Sequence, residues 1–256
     1  MRRRRIHSRT LVVTAMAAAI LLVPSTAGAQ PAGNATRCPL PVFGPGVDYH
    51  PKFDPAGFSP NVTNPFFPLK VGRTLVYTGV KDGKAALNLV LTTSRTRVID
   101  HVTTRVVEDR LYLDNVLEER TSDYYAQDAC GNVWYFGEDT ATLDARGHVV
   151  STHGSFHAGV AGAEPGVFMQ SHLTIGRQFR QEWAQGQAED TFKVISLDSR
   201  VTVPAGSFRH AIRTSEMTAL EPTVLDNKYY VAGIGEVVET AVRGPLERLL
   251  LVEVIS

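Results

Sequence analysis

No stretch past residue 30 sustains apolar residues at helical spacing for three turns, and that exclusion limits the fold more than any motif does. In place of helical periodicity the chain repeats short segments rich in Val, Thr, Tyr and Leu. They run over 75–80, 86–98, 103–114, 117–127, 132–139, 178–187, 190–197, 209–217, 228–231, 236–242 and 248–255. Turn chemistry separates them: Lys81-Asp82-Gly83-Lys84, Asp128-Ala129-Cys130-Gly131-Asn132 and Pro204-Ala205-Gly206. The series predicts an all-β fold, a single antiparallel meander over 71–256. So many strands in a row must close or be covered, because free edges invite aggregation, so a bent, half-open or closed barrel is expected. The Gly- and His-rich stretch 140–173 carries no strand pattern and is expected to be a long loop serving as a lid or mouth.

Residues 30–70 differ in kind. Pro39, Pro41, Pro45, Pro51, Pro55, Pro60, Pro65 and Pro68 leave no room for a helix, while Phe58, Phe66, Phe67 and Leu69 supply apolar anchors. This segment is expected to lie as an extended arm over the β domain, since a disordered linker rarely carries so many aromatics.

Residues 1–29 combine Arg2-Arg3-Arg4-Arg5, an apolar run from Leu11 to Val23 and the small-residue site Ala27-Gly28-Ala29. That pattern is a secretory signal peptide, and the mature chain is expected to be secreted or periplasmic. The arginines fit a twin-arginine signal poorly, and no cysteine at the cleavage site marks a lipid anchor. The charges balance at 26 and 26, but five arginines and no acids leave with the signal, so the mature chain is mildly acidic. An acidic surface argues against a nucleic-acid partner, and no later segment is long and apolar enough for a spanning helix. Export also bears on Cys38 and Cys130. In an oxidising compartment a disulfide tying the arm to the middle of the β domain is the natural reading; the alternative is a reactive or metal-bound thiol.

Three segments carry residues with chemical potential. In Val133-Trp134-Tyr135-Phe136-Gly137-Glu138-Asp139, strand alternation places Trp134, Phe136 and Glu138 on one face, a pocket wall of two rings and an acid, or else half a packed hairpin. With Tyr125, Trp183 and Tyr229 these rings are the candidate ligand contacts. Glu182 and Glu189 flank a turn at Gly186, so both can end on neighbouring strands, with Arg180 as a neutralising partner; with Glu138 and Asp139 they are the candidate acid–base residues. His148, His153, His157 and His172 crowd the Gly-rich stretch, and His153 and His157 are weak metal candidates whose spacing matches no known ligand pattern. Ser151, Ser155 and Ser171 lie nearby without a nucleophile elbow. No cofactor is expected.

Asn64-Pro65-Phe66-Phe67-Pro68-Leu69, the 125–139 hairpin, Val203-Pro204-Ala205-Gly206-Ser207-Phe208 and Lys228-Tyr229-Tyr230 with Gly233-Ile234-Gly235 resemble a family of uncharacterised exported bacterial β proteins. The resemblance implies a bent, bowl-like sheet and brings no activity or catalytic residue. The expected function is binding of an apolar or amphipathic small molecule, or a lipid, in the concave face of the sheet. The alternatives are a cyclase or isomerase using carboxylates in the same cavity, and an envelope interaction protein marked by an exposed apolar patch.

Overall fold

The computed structural model describes residues 38–256, so the expected signal peptide and the first residues of the arm lie outside it. From Cys38 the arm runs through two single turns of 3-10 helix, Gly46–Asp48 and Pro55–Gly57, the only helical geometry its prolines leave among the described residues. It then forms a two-residue strand, β1 (Phe58–Ser59), paired with Asp128 and Gln127. Cys38 and Cys130 are disulfide-bonded, with Cα atoms 5.9 Å apart. Phe53 and Phe58 pack on Trp134 and Phe136 with ring centroids 5.2–6.0 Å apart, mostly edge to face.

The tightest turns set the register of the first meander. β2 (Thr74–Lys81), β3 (Lys84–Ile99), β4 (Val102–Leu113) and β5 (Val116–Asp128) are joined by Asp82-Gly83, Asp100-His101 and Asp114-Asn115, and both residues of each turn have positive φ. Such turns match the right-handed twist of the flanking strands, and Asp and Asn tolerate the left-handed region better than most side chains. β6 (Val133–Leu143) completes this meander.

The stretch expected as a lid is instead part of the wall. β7 (Val149–Ser151) and β8 (Phe156–His157) pair on β6, and β9 (Glu164–Met169) extends the sheet beside Val133–Tyr135. Pro165 and Gly166 disguise β9 as loop, yet Gly166 is required there: a Cβ would lie 2.2 Å from the main-chain carbon of Gln181 on the facing segment.

Residues 178–183 close the barrel by serving both sides. As β10 (Gln178–Arg180) they pair with β12 (Asp190–Val203), and as β11 (Glu182–Trp183) with β9. β13 (Gly206–Thr218), β14 (Leu225–Val231), β15 (Gly235–Arg243) and β16 (Glu247–Ile255) form the second meander. β16 then pairs antiparallel with β2, from Glu247 opposite Lys81 to Ile255 opposite Thr74. The result is an all-β, sixteen-stranded antiparallel sheet, nearly closed into a barrel with one seam at 178–183.

Candidate ligand-binding cavity

Where the residues of β6 point depends on one irregularity. Tyr124 pairs with Gly137 but Tyr125 pairs with Tyr135, so Phe136 is the extra residue of a β-bulge. Gly137 has φ 153°, and a Cβ on it would lie 2.4 Å from the carbonyl oxygen of Phe156. The bulge reverses the alternation. Trp134 and Phe136 face outward beneath the arm, whereas Tyr135 and Glu138 share the inner face, with the Tyr135 hydroxyl 3.0 Å from Glu138 Oε2. The face expected to combine Trp134, Phe136 and Glu138 is therefore split between the two sides of the sheet.

Inside lies a cavity of about 280 Å³. Part of its lining is apolar: Phe67 and Leu69 from the end of the arm, Leu75, Val90, Phe168 and Ile234. Phe67 and Phe168 each meet the ring of Tyr125 at 5.0 Å, and Tyr125 stacks on Tyr135 at 4.7 Å. The rest of the wall is a belt of acids, contributed strand by strand. Asp109 comes from β4, Asp123 from β5, Glu138 from β6, Glu182 from β11, Asp190 from β12, Glu216 from β13, and Glu236 and Glu239 from β15. Lys228 on β14 interrupts it, with Nζ 3.5 Å from Glu216 and 3.3 Å from Glu239. Arg73 also lines the cavity, but its guanidinium holds the main chain, donating to the carbonyl oxygens of Pro68, Gly233 and Ile234.

Neutral groups arrange this belt. The Tyr135 hydroxyl donates to Asp123 Oδ1 at 2.6 Å, directly across from Glu138 in the β5–β6 register. Asn88 donates to Asp109 at 2.8 Å, and Thr214 and Gln181 donate to Glu216. Removal from water pushes the Asp123 carboxyl up to about 6 despite the Tyr135 hydrogen bond. Burial and then the Asp123 charge push Glu138 well above the usual carboxylate range, and burial with Asp190 and Glu138 does the same to Glu182. Burial alone would lower Lys228, but Glu216, Glu239 and Glu236 outweigh it and keep the ammonium charged.

The other expected site residues fall elsewhere. Asp139 points outward, where burial raises it less than Tyr124, Arg97 and His157 lower it; His157 Nε2 lies 2.9 Å from its carboxylate. Glu189 accepts from the main chain of Gly186, and Glu182 neighbours Asp190 instead. Of these two acids Arg180 feels the charge of Glu189 and not that of Glu182, while lying over the rings of Trp183, Phe43 and Tyr49 and donating to the carbonyl of Gly44. Trp183 thus packs beneath the arm, Tyr229 meets Arg213, and Trp134 lines only an outer groove beside the disulfide. Of the five aromatic candidates, Tyr125 lines the cavity. His153 is exposed and separate from His157 in its hydrogen bonds. Among the described residues the one group with ligand atoms at metal-binding distance is Cys38, Asp128 and Cys130, and its sulfurs are joined in the disulfide.

Sequence reasoning missed Asp109, Asp123, Glu216, Lys228, Glu236 and Glu239. Their signal was present: Val107, Asp109 and Leu111 alternate on one face of β4, and Lys228 and Tyr230 do so on β14, so a charge stands on the apolar phase of strand after strand.

No family model matches the chain, and no curated protein does. Among solved structures it is similar to a candidate exported protein with a YmcC-like fold from Bacteroides fragilis, at 12% identity and a TM-score of 0.43 over 75% of this chain and 99% of that one. It is also similar to a candidate lipoprotein from Parabacteroides distasonis, at 10% identity and a TM-score of 0.40 over 74% of this chain and 98% of that one.

Proposed function

We propose that this chain is an exported binding protein that takes an amphipathic small molecule, a lipid or another ligand with an apolar body and a polar end, into its barrel. The observation that carries the reading is the cavity of about 280 Å³, whose lining is apolar in one part and densely polar in the rest. Export rests on the signal pattern of residues 1–29 and agrees with the Cys38–Cys130 disulfide. Native mass spectrometry of gently purified protein tests the reading, with a bound small molecule as the expected result. Protein that is consistently empty, and stays empty when offered amphiphiles of different head groups, overturns it.

A second reading is acid–base turnover in the same cavity, favoured by Glu138 and Glu182, both on its wall and both held above the usual carboxylate range by burial. A co-purified ligand whose chromatographic retention or nuclear magnetic resonance spectrum changes on incubation with the native protein, but not with Glu138→Gln, is the expected sign of it, since isomerisation conserves mass. An unchanged ligand leaves binding as the function.

A further inference from the structure

Resting on the binding reading, we infer that the cavity selects an organic cation, an amine or guanidine carried on an apolar body, and that its uptake expels a proton held by Asp123, Tyr135 and Glu138. The Tyr135 hydroxyl lies 2.6 Å from Asp123 Oδ1 and 3.0 Å from Glu138 Oε2. A phenol has one proton, so it can donate to only one of two carboxylates at these distances. The empty triad is held together when Glu138 keeps a proton and donates it to the phenol oxygen while the phenol donates to Asp123. No positive side chain pairs directly with this arrangement: among the described residues neither Asp123 nor Glu138 has an ion-pair partner, and Lys228 and Arg110 favour the Asp123 charge only from a distance. Besides Asp123, the largest charge effects on Glu138 come from Glu119 of β5 and Asp190 of β12, and Glu138 in turn acts on Glu182 of the closing strand; all of these are acidic. Arg110 and Lys228 act on Asp123 from β4 and β14.

Two further observations point to a missing donor. Glu182 is 7% exposed and lines the cavity, yet among the described residues no side chain hydrogen-bonds to its carboxylate, which the main chain of Asp190 reaches. Asn88 lines it too, and its buried Oδ1 has no hydrogen-bond partner. An unsatisfied acceptor such as Asn88 Oδ1 is costly until an N–H reaches it, and Glu182 has room for a second donor beside the main chain of Asp190. Lys228 already serves Glu216 and Glu239, so it is committed. The carboxylates are also spread around the wall, with no three of them at metal-ligand distance among the described residues. Spread charge suits an extended organic cation better than a point ion, and the apolar lining at Phe67, Leu69 and Phe168 suits its body.

Isothermal titration of the mature protein with n-dodecylamine, n-dodecanol and dodecanoate, each below its aggregation concentration, tests this. The amine is expected to bind at least about tenfold tighter than the alcohol, with the carboxylate weakest. The heat of amine binding should differ between buffers of unlike ionisation enthalpy in the sense of proton release. Affinity should rise from about pH 5 to about pH 8 as the triad's proton becomes easier to lose. Glu138→Gln should abolish the proton release, and Glu182→Gln should weaken the amine while sparing the alcohol, with near-ultraviolet circular dichroism confirming the fold of each. If one variant does not fold, the other and the native three-ligand comparison still decide. Alcohol or carboxylate binding as tightly as amine, or amine binding without proton release, overturns the inference and leaves the binding reading standing. Binding of none of the three overturns both.

Discussion

The two faces of β6 are built from neighbouring residues and do opposite things. Outward, Trp134 and Phe136 are 2% and 0% exposed, interlocked with Phe53 and Phe58 of the arm, and the one polar atom among these rings, Trp134 Nε1, donates to Asp128 at 3.1 Å. Inward, Tyr135 offers a hydroxyl to two carboxyls beside an open cavity. The outer face is packed with rings and its polar atom is satisfied, while the inner face is polar and short of donors. A bulge at Phe136–Gly137 lets one strand hold the fold together on one side and present chemistry on the other.

The outer face should break hardest. Phe136→Ala removes a fully buried ring from the arm-to-sheet contact and should lower unfolding stability by about 3–5 kcal/mol in urea titrations. Next, Cys130→Ser unties two residues 92 apart in sequence and should cost about 2–5 kcal/mol, with protease cutting the arm first. An unchanged urea midpoint in either variant would refute the view that the arm is structural.

Acid should separate the two faces further. Asp123 titrates with Glu138 as a unit, and its folded value is raised from 3.8 to about 6. A raised folded value means that the native state holds the proton more firmly than the unfolded chain does. That contribution is fully present below the ordinary carboxylate value and lost as pH rises through about 6. The native protein should therefore gain roughly 1–2 kcal/mol from this pair between pH 7 and pH 5, and Glu138→Gln should flatten the profile. A pair that weakens on acidification over that range would reverse the assignment. Smallest of all, Asp139→Asn touches the outer Tyr124, Arg97 and His157 contacts, half in solvent, and should move the melting midpoint by the equivalent of less than about 1 kcal/mol.

The strands were legible because turns such as Asp82-Gly83 and Pro204-Ala205-Gly206 declare themselves locally. The arm was legible because proline admits few alternatives, and its aromatics found the partners they needed at Trp134 and Phe136. β9 was not, because Pro165 and Gly166 look like loop until the facing segment at Gln181 explains them. The candidate site was legible only in part. Glu138 and Glu182 lie on the cavity wall, whereas Asp139 and Glu189, one residue away from Glu138 and Asp190, do not. Strand alternation assumes an unbroken register, and the bulge that inverts it is a tertiary event, fixed by β8 crossing Gly137. The acid belt is dispersed from β4 to β15, so no window of sequence contains it.

The pairing of β16 with β2 sets the order in which this chain can finish folding. Tyr77 meets Leu251, a partner made long after it, while the strands within each meander pair mostly with their sequence neighbours. Two halves can thus assemble early from local hairpins, but their long junction must await the C-terminal strand, and until then the edge of β2 stands open. A strand made long after its partner is thus the latch that joins the two meanders.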